Sequence, residues 1–402
     1  MTARYSEDIR AWIIDQGLRG ASLDEITAGF CRRLRAAGHP LCRVSVSLRT
    51  LHPKYGAHSL VWDAASDSLS KIAHLHQEAG DQTFLESPIH YLVSGAAKHV
   101  RCQLDGRPLQ VTFPMVEALR TQGYTDYAAT TVLFAAEQDF QTMEGIFFSC
   151  ATDCDGGFSD EELTWIKGLL PSLALALKSA SVQEVAVNIV EAYLGKDAGH
   201  QVLRGKFNRG SVESIDAVIL IADLRGFTAT TGLLPRETVV QRLNAYFDCI
   251  VQPVEQRGGQ VLKFLGDGLL ATFTLEDGQP RNQVCASALQ AARSALTEVA
   301  KLNARLESQG EYAMPLDIAL HLGDVMYGNV GAADRLDFTV IGTAVNEASR
   351  IEGLCDQLGR NLLISETFSE ELGSKSGDLV LLGSYPLRGV SVQRQVFGLA
   401  EE

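Results

Sequence analysis

The 402-residue sequence has no CxxC pair among its eight cysteines, no cluster of Lys or Arg, no compositionally biased tract and no long uninterrupted apolar run. Scattered cysteines without paired histidines leave no ligand set for a structural zinc, and a chain of this size does not need disulfides. The thiols are therefore expected to be free and buried as small apolar groups. Without a basic patch, and with a formal net charge of -14, the surface does not suit a nucleic-acid backbone. Any phosphate-bearing ligand has to be met by a local site or by metal ions. The longest apolar stretch, near 169–177, is interrupted by Pro171 and Ser172 and is too short to cross a bilayer. The opening MTARYSEDIRAWIIDQG carries acidic residues near its start and lacks the apolar run of a signal peptide. These absences predict a soluble, cytoplasmic protein without a membrane span, folded throughout.

What is present is an ordinary globular composition, 46% apolar and 21% charged, over a length that predicts two domains. The first half reads as mixed α and β. Ser22 is placed to cap a helix whose apolar positions Leu23, Ile26, Phe30 and Leu34 recur at helical spacing. A strand follows, with Val44, Val46 and Leu48 alternating against Arg43, Ser45, Ser47 and Arg49, and further strand-like runs cover 127–135 and 145–152. Ser159 and Glu162 fit a capping box that opens a helix, bent at Pro171, with an apolar stripe of Leu163, Ile166, Leu170, Leu173 and Leu177. With the amphipathic segment 185–194 it forms a connector whose apolar stripe suits pairing with a second copy of itself.

The second half follows another plan. Residues 215–221 form an apolar strand, and Pro235 opens a helix carrying Val239, Leu243, Phe247, Ile250 and Val254 on one side, ended by Gly258 and Gly259. Two strands, 261–265 and 269–273, flank the turn Gly266-Asp267-Gly268, a hairpin signal. A helix over 282–306 and a strand over 316–322 complete the order βαββαβ, the ferredoxin-like plan, with helical crossovers between parallel strands. The fold class expected is α+β.

Asp223 ends the first of these strands and Asp267 sits at the hairpin tip. Adjacent strands of such a sheet bring the two carboxylates near each other, where they can hold hard divalent cations that bridge to phosphate oxygens. Taken singly, Asp267 reads better as a turn residue and Asp223 as a surface strand end. The combination of motifs changes that balance. IADLRGFT, GGQVLKFLGDGLLATF, GNVGAADRLDFTVIGTAVNEASRIEGL and PLRGVSVQRQVFGL stand in the order and spacing of the class III nucleotidyl cyclase catalytic domain, which residues 210–400 closely resemble.

That resemblance implies an adenylate cyclase, converting ATP into 3',5'-cyclic AMP and pyrophosphate. By it, Asp223 and Asp267, with the backbone carbonyl of Leu224, hold two Mg2+ or Mn2+ ions. Lys263 and Thr339 read the purine, Asn346 orients the ribose, Arg350 stabilises charge on the α-phosphate and Arg388 contacts the triphosphate. Considered alone, Arg350 and Arg388 read as solvated surface arginines. Asn346 and Arg350 lie four apart on a segment that reads as a helix, with Val345, Ala348 and Leu354 toward the core, so both point one way. Many family members carry aspartate where Thr339 stands, and the threonine resembles a subgroup of which some members respond to bicarbonate. A hydroxyl both donates and accepts, so it excludes the wrong base less firmly than a carboxylate would, and cUMP, cCMP or cGMP stay open as alternative products. In the family, metal aspartates and base-reading residues of one site come from opposite protomers, so a single set of each implies a homodimer. An inactive nucleotide-binding signalling module is a further alternative, although no metal aspartate or arginine of the pattern is missing.

Residues 20–180 are similar in pattern to a GAF-type sensor domain, through the GFSDEEL turn into a long exit helix. The organisation expected is a sensor domain over 1–180, a helical connector over 181–210 and the cyclase domain over 211–402. A GAF-like fold implies a concave pocket for a small-molecule ligand that the sequence does not identify. His52, His58, His74, His76, His90 and His99 match no metal or haem ligand spacing and read as ordinary surface or core histidines.

Overall fold

The computed structural model describes residues 2–76, 81–105, 112–134, 145–206, 208–276, 278–373, 377–390 and 392–400. The chain divides into two compact units, 1–189 and 190–402.

In the first unit, helices α1 (Thr2–Arg19) and α2 (Leu23–Ala36) precede strands β1 (Arg43–Arg49), β2 (Tyr55–Asp63) and β3 (Ser68–Leu75). Helices α3 (Gln82–Leu85) and α4 (Pro88–Val93), strand β4 (His99–Gln103), helix α5 (Pro114–Thr121), strands β5 (Asp126–Leu133) and β6 (Gly145–Thr152) and helix α6 (Asp160–Leu194) follow. The six strands form one antiparallel sheet in the order β3-β2-β1-β6-β5-β4. Both capping boxes are present. Ser22 Oγ accepts from the Glu25 N–H at 3.2 Å while Glu25 accepts from the Ser22 N–H at 2.9 Å, and Ser159 with Glu162 repeats the exchange at 3.1 and 2.7 Å. Asp126, fully buried on β5, accepts from Arg101 Nη2 at 2.8 Å and from the Phe158 N–H at 3.1 Å. A buried carboxylate is tolerated only with such partners, and these tie the sheet to the turn that enters α6.

Three expectations change here. Leu163, Ile166, Leu170, Leu173 and Leu177 are buried together with Phe30, Val46 and Phe148. This stripe closes the core of its own unit and is not available for pairing with a second copy, because the apolar face of β1 and β6 needs a layer over it. Helix α6 runs through Pro171 as one element of 35 residues, and by length and composition it is long and apolar enough to cross a membrane, whereas the stretch 169–177 read alone is too short. The eight thiols are free, but only five are buried; Cys42 and Cys249 are half-buried and Cys154, in the turn after β6, is exposed. His52 Nδ1 accepts from the Lys54 N–H at 3.0 Å and His74 Nε2 pairs with Ser59 Oγ at 2.9 Å.

The second unit contains α7 (Lys196–Leu203), β7 (Val212–Leu224), α8 (Phe227–Thr231), α9 (Arg236–Gln256), β8 (Gln260–Leu265), β9 (Gly268–Thr274), α10 (Arg281–Ser308) and β10 (Leu316–Ala332). It continues with β11 (Arg335–Ile341), α11 (Thr343–Glu352), α12 (Cys355–Leu358), β12 (Leu362–Ser365), α13 (Glu366–Leu372), β13 (Leu379–Tyr385) and β14 (Arg394–Leu399). The sheet order is β13-β14-β12-β10-β7-β9-β8, and β11 folds back on the outer half of β10. Its β10-β7-β9-β8 part is the βαββαβ arrangement, with β7 antiparallel to both β10 and β9.

Strand β7 is apolar on both sides because both faces of the sheet are covered. Val218, Leu220, Ala222 and Leu224 pack with Tyr246 and Ile250 of α9 and Ala288 and Ala292 of α10. Ala217, Ile219 and Ile221 pack on the opposite face with Leu262, Leu270, Val340 and Ala344. On α11 the buried positions are Ala344, Ala348 and Ile351. Of the expected inward set only Ala348 is fully buried; Val345 is partly buried, and Leu354 lies beyond the helix, which ends at Glu352.

Gly323 of β10 lets α11 approach, since a Cβ there would stand 2.6 Å from Ala344 Cβ. Overpacking of this kind costs roughly 1–3 kcal/mol. Gly323→Ala should therefore lower the melting temperature, as followed by circular dichroism; an unchanged melt would show that α11 is not seated through this contact.

Candidate active site

Strand β7 delivers Asp223 at its end, and the β8–β9 hairpin places Asp267 in the two-residue turn between the paired residues Leu265 and Gly268. Turn and strand end are pressed together. A methyl group at Gly268 would stand 2.5 Å from the Ala222 carbonyl oxygen and 2.7 Å from Asp223 Oδ1, so the chain directly after Asp267 lies against the Asp223 carboxylate. Burial, and then the charge of Asp267, push the Asp223 carboxyl up to about 6. Two acceptor-only carboxylates side by side make a donor set that suits a hard divalent cation. Among the described residues no group of three or more His, Cys, Asp or Glu is gathered for a metal, so any cation at this pair needs further oxygens from backbone, water or a ligand.

The neighbourhood is more acidic than the motifs alone imply. Glu352, the last residue of α11, is pushed up to about 7 by burial and then by Asp223, Asp317 and Asp267. Asp317 stands opposite Asp223 in the β7–β10 register and accepts from Arg225 Nε at 2.8 Å. Arg225 also approaches Asp356 Oδ1 at 3.5 Å. None of Glu352, Asp317 and Arg225 is singled out by the sequence reading. The only sequence signal for Glu352 is its position two residues after Arg350; Arg225 and Asp317 are 92 residues apart, beyond any spacing rule.

The remaining predicted residues fall into two groups. Lys263 is exposed on β8, and its ammonium donates to Asp337 of β11. Thr339, half-buried, lies two residues further along β11, opposite Gly328 of β10. Asn346 is exposed and Arg350 half-buried, one turn apart on α11. The Arg350 Nη2 is 3.6 Å from where a Cβ on Gly389 would lie, which brings its guanidinium against the β13–β14 connection that carries the exposed Arg388. The structure thus joins Asp223 with Asp267, Lys263 with the strand of Thr339, and Arg350 with the segment of Arg388, while the direct partner of Lys263 is Asp337.

The raised acids set a pH dependence. Asp223 and Glu352 hold protons in the folded, cation-free protein that the unfolded chain has already released, so their contribution to stability is lost as pH rises from the ordinary carboxylate range through about 6 and about 7. Asp223→Asn and Glu352→Gln should each raise the melting temperature in EDTA at about pH 8 and change it little at about pH 4. Equal shifts at both pH values, measured by calorimetry, would contradict this origin.

Comparison with known proteins agrees with this geometry. Residues 211–399 match the family described as the adenylate and guanylate cyclase catalytic domain. An adenylate cyclase of Anabaena cylindrica is 36% identical over 167 residues, 40% of this chain and 32% of that protein. Adenylate cyclase 1 of Rhizobium meliloti (strain 1021) is 29% identical over 164 residues, 40% of this chain and 24% of that protein. The chain thus spans about a third or less of the length of these curated relatives. Among solved structures, the guanylyl cyclase Cya2 is 26% identical, with 47% of this chain and 93% of that one covered and a TM-score of 0.41. The βαββαβ sheet and the paired aspartates lie within the stretch 211–399 that matches the adenylate and guanylate cyclase catalytic domain.

Proposed function

We propose that this protein is an adenylate cyclase that converts ATP into 3',5'-cyclic AMP and pyrophosphate as a homodimer. Each site would take Asp223 and Asp267 from one protomer and Lys263, Thr339, Asn346 and Arg350 from the other. The observation that carries the reading is the closure of the β8–β9 turn on the end of β7, which sets Asp267 beside Asp223, where burial and then the charge of Asp267 raise the affinity of Asp223 for protons and a cation would be drawn to the same pair. The name adenylate cyclase of the Anabaena and Rhizobium relatives supports ATP as the substrate.

The reaction forms a bond from the ribose 3'-oxygen to the α-phosphorus and breaks the bond from that phosphorus to the pyrophosphate oxygen, with the hydroxyl proton passing to solvent. Asp223, Asp267 and the Leu224 carbonyl would hold two Mg2+ or Mn2+ ions, which when bound would lower the pKa of the 3'-hydroxyl and neutralise the triphosphate. Asn346 holds the ribose in an attack-ready pose. Arg350, a turn away, stabilises the charge that builds on the α-phosphate, and Arg388 adds a contact to the triphosphate from the adjoining loop. Lys263 donates to adenine N1. The first unit carries none of these residues and is assigned a sensory, GAF-like role. A cavity of about 280 Å³ lined by His99, Arg101, Thr130, Thr164 and Lys167 offers room for a small ligand there. The enzyme is read as cytoplasmic.

The test is incubation of the purified protein with each of the four nucleoside triphosphates and Mg2+ or Mn2+, with products identified by mass. Cyclic AMP should predominate; a dominant cyclic UMP, CMP or GMP would reassign the substrate. Asp223→Ala and Asp267→Ala should each lower turnover by roughly a thousandfold or more, the equivalent of several kcal/mol of charge stabilisation, with the fold retained. Near wild-type turnover in either variant would overturn the metal assignment.

Shared sites predict complementation. Asp223→Ala and Arg350→Ala chains, each inactive alone, should regain activity when mixed, because one site of the heterodimer then contains both intact halves. No recovery despite demonstrated subunit exchange would remove the composite site.

A further inference from the structure

Thr339 leaves the recognition of adenine incomplete. Its hydroxyl donates as well as accepts, so by itself it can meet the O6 of guanine as well as the 6-amino group of adenine. A group without that ambiguity stands two residues earlier on the same strand. Phe338 and Val340 are turned into the core, at 5% and 4% exposure, and strand side chains alternate; Asp337 and Thr339 therefore share the opposite side of β11. The Asp337 carboxylate accepts from the ammonium of Lys263, and both side chains are 44% exposed, open to a ligand.

We propose that Asp337 is a specificity-determining residue of this cyclase: paired with Lys263, it presents a donor-only and an acceptor-only group side by side to the base edge and so selects adenine over guanine. This rests on the reading of Lys263 as the base-reading lysine. Ammonium nitrogen and carboxylate oxygen in such a pair lie about 3 Å apart, near enough to meet the adjacent N1 and 6-amino group of one adenine edge together. Lys263 has three donors, of which one serves Asp337 and the others remain for N1. The second carboxylate oxygen of Asp337 accepts from the 6-amino group. Guanine reverses both positions, turning its N1–H toward the ammonium and its O6 toward the carboxylate. A site built for one hydrogen-bond pattern rejects the reverse strongly, because its own polar groups are then left unmatched. The pair also holds the flexible lysine stem in place before the base arrives. An ion pair this exposed adds little to stability, so its removal should leave the fold intact.

The experiment is the ratio of kcat/KM for ATP over GTP in the wild type, Asp337→Asn, Asp337→Glu and Lys263→Ala, with melting temperatures recorded for each. Asparagine keeps the size of the side chain but adds a donor, so Asp337→Asn should lower the ratio by about tenfold or more, chiefly through KM, and Asp337→Glu should restore part of it. A ratio unchanged in Asp337→Asn but shifted in Lys263→Ala overturns the role of Asp337 and leaves the reading of Lys263 standing. A ratio unchanged in both overturns the base-reading assignment itself. Should Asp337→Asn lose turnover altogether at an unchanged melting temperature, the relative Kd values of ATP and GTP from equilibrium competition decide on the same terms.

Discussion

Asp223 and Asp267 are brought together although the charge of Asp267 disfavours that of Asp223, and the fold around them is what maintains the arrangement. Strand β7 is locked between β9 and β10 with apolar cores on both faces. Its end cannot swing away without opening both cores. The hairpin turn is fixed against it by the missing side chain of Gly268. Hydrophobic burial far from the carboxylates thus holds a local electrostatic cost in place. A divalent cation would relieve that cost.

The charge pattern at this end of the sheet is graded. Arg225 is committed to Asp317, which removes one acid from the contest for cations. Asp223 and Glu352 are raised, and burial keeps Asp317 raised as well despite Arg225. Helix α11 therefore carries two kinds of side chain. Asn346 and Arg350 face outward from it, whereas its last residue joins the acidic group, and Gly323 beneath sets its distance from the sheet. A shift of this helix would move Asn346, Arg350 and Glu352 together.

The first unit is organised by different means. Its sheet is covered by α6, whose leucine stripe is consumed in the core, and the buried Asp126 carboxylate, paired with Arg101, fixes the turn that starts this helix. The helix therefore begins from a rigid base. The pairing leaves the buried carboxylate no unmatched charge.

The sequence alone determined whatever rests on neighbours along the chain. Ser22 with Glu25 and Ser159 with Glu162 announce their helices because capping is a three-residue exchange. Strands β1 and β6 end where alternation and apolar runs end, and the βαββαβ order follows from element sequence and crossover length. The long motifs single out Asp223, Asp267, Lys263, Thr339, Asn346 and Arg350 as the candidate site. Other features escaped. Helix α1 buries little beyond Ile9 and Ile13, and β12 is only four residues, too short for any period to show. Only the tertiary structure decided that the stripe on α6 closes its own core, that Arg225 belongs to Asp317, and that Lys263 meets Asp337 across 74 residues. These are choices among partners, made by the packing of distant strands against one another, and no local spacing encodes which charge or which apolar face will arrive opposite.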